Sequence, residues 1–173
     1  MFVINRCLCC ALVFLMCLCL YGCPYESEFP LSPSSEAKID KELIGKWKFQ
    51  CEKEEQSGAI TIYQFNEHEY LILLKEEGEE DIDLIRAFGT TIDEHKFLNV
   101  QDINSANAKE REWFFVNYSV FNDKLILKYV EDRIFENKII NSSQELYKLM
   151  KENLNNKDLY DENDKKIFSR VDG

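Results

Sequence analysis

Glycine, proline and histidine are scarce in this chain: six, three and two among 173 residues. Each shortage excludes something. A phosphate-cradling loop or dinucleotide fingerprint needs clustered glycines, and here no two glycines lie close in sequence. There is no H-E-x-x-H motif, no pair of C-x-x-C motifs and no serine in a nucleophile-elbow context, so the sequence carries no signature of a metal centre, a cofactor site or nucleophilic catalysis. His68 and His95 stand in corresponding polar turns, where solvated histidines are the expectation and a shared metal site is not. The 32 Asp and Glu residues would supply a glycosidase-like carboxylate pair, but runs such as KEEGEEDID (75–83) read as a solvated hairpin loop. No enzymatic activity and no cofactor are therefore expected, with a hydrolase as the remotest reading.

Positive charge is also short. The formal net charge is −11, and it becomes −12 once Arg6, the only charged side chain of residues 1–22, is set aside. A polyanion repels nucleic acid and anionic headgroups, so nucleic-acid binding is not expected. Cysteine is plentiful only at the start: Cys7, Cys9, Cys10, Cys17 and Cys19 crowd the first twenty residues, leaving Cys23 and Cys51. Two cysteines make no disulfide framework, and Cys51 is expected as a buried free thiol.

The opening MFVINRCLCCALVFLMCLCLYGC has one early arginine and then an uncharged apolar run from Cys7 to Gly22. A membrane-spanning helix needs roughly 20 such residues, and no basic stop-transfer cluster follows, so residues 1–22 read as a removable signal peptide. The closing Leu20-Tyr21-Gly22-Cys23 resembles the lipobox of bacterial lipoproteins. That resemblance implies cleavage before Cys23, modification of its thiol and amine by diacylglyceryl and acyl (palmitate) chains, and anchorage in the cell envelope. With Pro24 rather than aspartate in the next position, it implies the outer membrane, facing the periplasm, in a Gram-negative organism. An uncleaved N-terminal anchor and an ordinary secretory signal are the alternatives.

Residues 23–40 hold all three prolines and no periodic apolar face, and are expected to form a flexible, lipid-anchored tether. The folded domain is expected over 41–173. Its runs 43–52, 59–65, 69–75, 81–92, 96–102, 111–121 and 124–130 are rich in β-branched and aromatic residues, and turn-forming Asn66-Glu67-His68, Asp93-Glu94-His95 and Asn122-Asp123 separate them. These predict consecutive antiparallel hairpins. In 111–121 both alternating faces are largely apolar, so one face needs a core and the other a second layer or a cavity. Leu146, Leu149, Met150 and Leu154 then recur at helical spacing behind an S-x-x-E box, Ser142 to Glu145, and KKIFSRV (165–171) reads as a closing strand. The fold class is mainly β: an antiparallel up-and-down barrel with one C-terminal helix and a closing strand, or else an open antiparallel sheet packed on the helix.

Gly45-Lys46-Trp47 at the start of the first strand resembles the G-x-W signature of lipocalin-like barrels. The resemblance implies that Trp47 plugs the closed end, and the whole pattern is similar to small envelope lipoproteins carrying such a domain. The functional expectation is a non-enzymatic, membrane-anchored lipoprotein that binds a small apolar ligand among Trp113, Phe115 and Tyr129, or serves a structural role. The alternative is an acidic interaction module that binds or inhibits a cationic protein.

Overall fold

Strands form in this chain wherever β-branched and aromatic residues run together, and residues that tolerate a left-handed backbone end them. Asp93, Asn122 and Asp123 all take positive φ, near 50°, and the Asn122-Asp123 pair makes the two-residue turn that suits right-twisted strands. The computed structural model describes residues 24–51, 56–78, 80–104, 111–162 and 165–171. The signal-peptide reading of 1–22 and the lipid anchor at Cys23 fall outside the described residues, as does the side chain of Cys51.

Eight strands follow in order: β1 (Gly45–Cys51), β2 (Gln56–Gln64), β3 (Glu69–Glu76), β4 (Asp83–Ile92), β5 (His95–Asp102), β6 (Phe114–Phe121), β7 (Lys124–Tyr129) and β8 (Lys166–Arg170). Among the described residues one α-helix, α1 (Ser143–Glu152), stands between β7 and β8. Each strand pairs antiparallel with the next, and β8 returns to pair with β1, Trp47 opposite Arg170 and Phe49 opposite Phe168. The sheet is a closed up-and-down barrel, which excludes the open-sheet alternative and leaves no unpaired edge.

The two-faced apolar pattern resolves into two clusters. Inward residues, among them Trp47, Ile62, Tyr70, Leu98, Val116 and Leu125, fill the barrel. Outward residues Phe88, Ile92, Phe97 and Phe115 form a second core with Leu146, Met150 and Leu154 from α1 and the turn after it. The helix begins as its sequence predicts: the Ser142 hydroxyl accepts the Glu145 N–H at 3.2 Å. The Glu145 carboxylate reaches back to the N–H of Asn141, at 2.9 Å, one residue earlier than in a standard capping box.

Residues 24–40 correct the expectation of a flexible tether. They form a strap laid down the outside of the barrel, and among the described residues packing on the barrel extends back to Pro24, well before Lys41. Pro24 bridges to Glu131 and Ser27 to Trp113. Leu31 is 1 % exposed, and its N–H donates to the Asn99 side chain at 2.7 Å. The strap has no sequence period because it is neither helix nor ladder strand. Its prolines favour an extended backbone, broken by one 3-10 turn at Ser34–Glu36, and most of its donors and apolar side chains find partners on the barrel wall one at a time.

Candidate functional site

The strap runs from the β7–β8 side of one barrel end to the opposite end, and there it turns under the barrel to close it. Trp47 is fully buried in this closure and donates its indole N–H to Leu43 O at 2.9 Å. The Arg170 guanidinium lies over the indole, 4.1 Å from the ring centroid, and donates to Ile44 O (3.0 Å) and Glu42 O (2.6 Å). Gly45 has φ +136°, and a Cβ there would stand 2.9 Å from Arg170 Nη1. The G-x-W spacing thus has a physical cause: the glycine admits the arginine that caps the tryptophan. Sequence reasoning identified Gly45 and Trp47 and missed Arg170, which nothing in the sequence sets apart from Lys165 and Lys166 of the same closing segment.

Asp40 completes the closed end. Its carboxylate accepts from Lys96 Nζ (2.7 Å), the Glu42 N–H (3.1 Å) and the Tyr118 hydroxyl (3.2 Å), while its own N–H donates to the Tyr70 hydroxyl at 2.6 Å. Burial pushes the Asp40 pKa up, but the hydrogen bonds and the charge of Lys96 outweigh it and hold the carboxyl below its ordinary range. Tyr118 moves the other way, raised by burial and then by the Asp40 charge. These groups lock the strap to the barrel base.

Of the three aromatics expected to share a ligand, Trp113 and Phe115 join one outer cluster and Tyr129 stands apart from them. Trp113 and Phe115 face outward beneath the strap: Trp113 meets Phe88 edge-on with centroids 5.2 Å apart, and Phe115 lies 6.0 Å from Tyr25. Tyr129 packs with the barrel interior. Strand alternation explains the separation, since Phe115 and the inward Val116 point to opposite faces. Two clefts lie along the outside. One of about 700 Å³ runs between strap and α1, bordered by Leu31, Pro33, Lys38, Thr90 and Tyr147. The other, about 1000 Å³, crosses the outer wall of β1, β2, β3 and β8 beside Lys48, Lys75 and Ile167.

His68 serves local structure, and His95 is the first residue of β5. His68 Nδ1 lies 2.9 Å from Ala37 O, and because a carbonyl can only accept, that nitrogen carries the proton. Among the described residues no group of three or more His, Cys, Asp or Glu is arranged to hold a metal ion. Glu69 is 8 % exposed and forms a two-pronged ion pair with Arg86, at 2.5 and 3.2 Å. The arginine bonds lower the Glu69 pKa, against the opposing effect of burial. Three further polar residues, Asn99, Thr90 and Ser32, escaped sequence reasoning. Asn99, fully buried on the outer wall, donates to Phe88 O (3.2 Å) and to the Thr90 hydroxyl (2.8 Å), and that hydroxyl meets Ser32 Oγ at 2.6 Å.

The fold is consistent with a lipocalin-like barrel. No protein-family model matches the chain, and neither a curated protein nor a solved structure matches it.

Proposed function

We propose that the protein is a non-enzymatic lipoprotein of the bacterial cell envelope, anchored through Cys23, whose barrel serves as a structural or interaction body held directly at the membrane. The observation that carries this reading is the clamped strap. The uncharged run Cys7–Gly22 and its lipobox-like end stop one residue short of Pro24, and from Pro24 onward the chain is bound to the barrel. Half-buried Asp40 and buried Glu69 support a role without catalysis, since they are committed to Lys96 and Arg86 as structural locks. An apolar ligand inside the barrel is the less favoured form, because the interior is occupied by Trp47, Ile62, Tyr70 and their neighbours and because Trp113 and Phe115 face away from it.

The test is the intact mass of the protein isolated from its own membranes, beside a Cys23→Ala variant. A mature chain starting at Cys23 with diacylglyceryl and acyl mass, lost in the variant, is the expected result. An uncleaved or unmodified chain overturns the lipoprotein reading.

A second reading is favoured by one observation. In the β3–β4 hairpin, residues 75–83 carry one lysine against six carboxylates, and Glu77, Glu80, Asp81 and Asp83 are exposed. Such an edge steers a cationic protein into encounter. Capture of a basic partner that weakens with added salt, and with Glu80→Lys and Asp81→Lys, supports it; salt-independent capture counts against it.

A further inference from the structure

Resting on the membrane-anchored reading, we propose that the barrel leans on the bilayer through residues 132–140, with Ile139 entering the headgroup region and the acidic β3–β4 hairpin turned away from the lipid.

The strap removes the slack that a flexible tether would provide. Pro24 bridges to Glu131, the Tyr25 N–H donates to Val130 O at 2.8 Å, and the Tyr25 ring stacks on Phe135 with centroids 3.7 Å apart. Cys23 is one residue from this clamp, and one residue spans at most about 3.6 Å. A lipid on Cys23, or a retained apolar run before it, therefore brings the surface around Glu131 and Phe135 to the membrane. Loss of orientational freedom is a direct consequence of the correction to residues 24–40.

What that surface presents suits a bilayer. Ile139 is 87 % exposed, the highest value among the large apolar residues described as exposed. A single exposed isoleucine is ordinary on a soluble protein; its position is what gives it meaning here. It lies four residues from Phe135, at most about 14 Å of chain, and the next residue, Ile140, turns back into the outer core. Arg133 and Lys138 are exposed beside it, with stems long enough to lie along lipid while their charges stay in water. Asp132 and Glu136 balance them, so the segment is neutral. The β3–β4 hairpin lies four strands around an eight-strand ring from β7 and β8, on the far wall of the barrel. Tilting toward 132–140 lifts that polyanionic hairpin off the headgroups. Glu26, Glu28 and Glu112 remain near the clamp, so the contact fits zwitterionic lipid better than anionic lipid.

The experiment uses the full processed protein reconstituted in phosphatidylcholine vesicles, with Ile139→Trp beside Phe121→Trp. Phe121, the last residue of β6 at the closed end, is 71 % exposed and serves as the distal control. The expected result is that lipid brominated on its acyl chains quenches the emission added by Ile139→Trp, and shifts it to the blue, while the emission added by Phe121→Trp is unaffected. Protein that floats with the vesicles but shows no quenching for Ile139→Trp, or shows it for Phe121→Trp, overturns the orientation and leaves the anchor standing. Protein that does not float overturns the anchored reading and the orientation together.

Discussion

Arg170, the last residue of β8, lays its guanidinium 4.1 Å from the centre of the Trp47 indole in β1, and this contact joins the two strands that close the barrel. Since Arg170 also satisfies the carbonyls of Glu42 and Ile44, one side chain seals the sheet and fixes the segment that plugs it.

Removing that side chain should be costly. Arg170→Ala gives up a cation–π contact and two charge-assisted hydrogen bonds, and an expected loss of about 2–3 kcal/mol follows. Arg170→Lys should recover only part of it, because an ammonium lacks the planar fork that reaches both carbonyls. Urea unfolding of the three proteins checks the ranking.

Gly45→Ala tests the same contact from the other strand. The added Cβ meets Arg170 Nη1 at 2.9 Å, at a φ that side-chain-bearing residues rarely adopt, and a loss of about 1–3 kcal/mol is expected. A thermal midpoint equal to that of the parent would contradict the account of the G-x-W spacing.

The outer core depends on α1. Leu146 is fully buried against the barrel wall, so Leu146→Ala should cost about 2–5 kcal/mol in denaturant unfolding. Tyr63→Ala, at a half-exposed site on β2, should cost much less.

Hydrogen exchange separates a strap from a tether. The amides of Tyr25, bonded to Val130, and of Leu31, bonded to Asn99, should exchange slowly in the native protein. Asn99→Ala leaves the Leu31 N–H without its acceptor, at a cost of about 1–3 kcal/mol, and should speed exchange at Leu31 more than in the β-ladders. Free exchange throughout 24–40 in the parent would restore the tether.

The Glu69–Arg86 pair sets an acid limit. A carboxyl whose pKa is lowered by folding contributes stability that is complete above its unfolded value, about 4.3, and that is lost as the pH falls through the folded value. Glu69→Gln should therefore cost about 1 kcal/mol at pH 7, the exposure of Arg86 keeping the figure low, and little once the pH has fallen below the folded value. Unfolding free energies of both proteins across that range should converge toward acid.

How far this architecture can be read from the chain depends on how local each cause is. Strand and helix periodicity is local: the turns at Asp93 and Asn122-Asp123, the Ser142 cap and the Leu146–Met150 face all lie within a few residues of the structure they specify, and each is legible in sequence order. The strap was misread because its order comes from distant partners, Asn99, Val130 and Tyr70, while its own residues, proline-rich and aperiodic, match the composition of a linker. The three aromatics divide between the two faces for a related reason. Trp113, Phe115 and Tyr129 are all apolar and close in sequence, but which face of a closed sheet each one takes is decided by pleat and register.

The sequence alone determined the strand and turn succession, the helix and its cap, the acidic surface and the glycine–tryptophan spacing, because each follows from local backbone preference or side-chain chemistry. Only the tertiary structure decided that the sheet closes, that Arg170 caps Trp47, and that residues 24–40 are bound from Pro24 onward, because each joins residues far apart in the chain whose contact has no trace in the pattern of either segment.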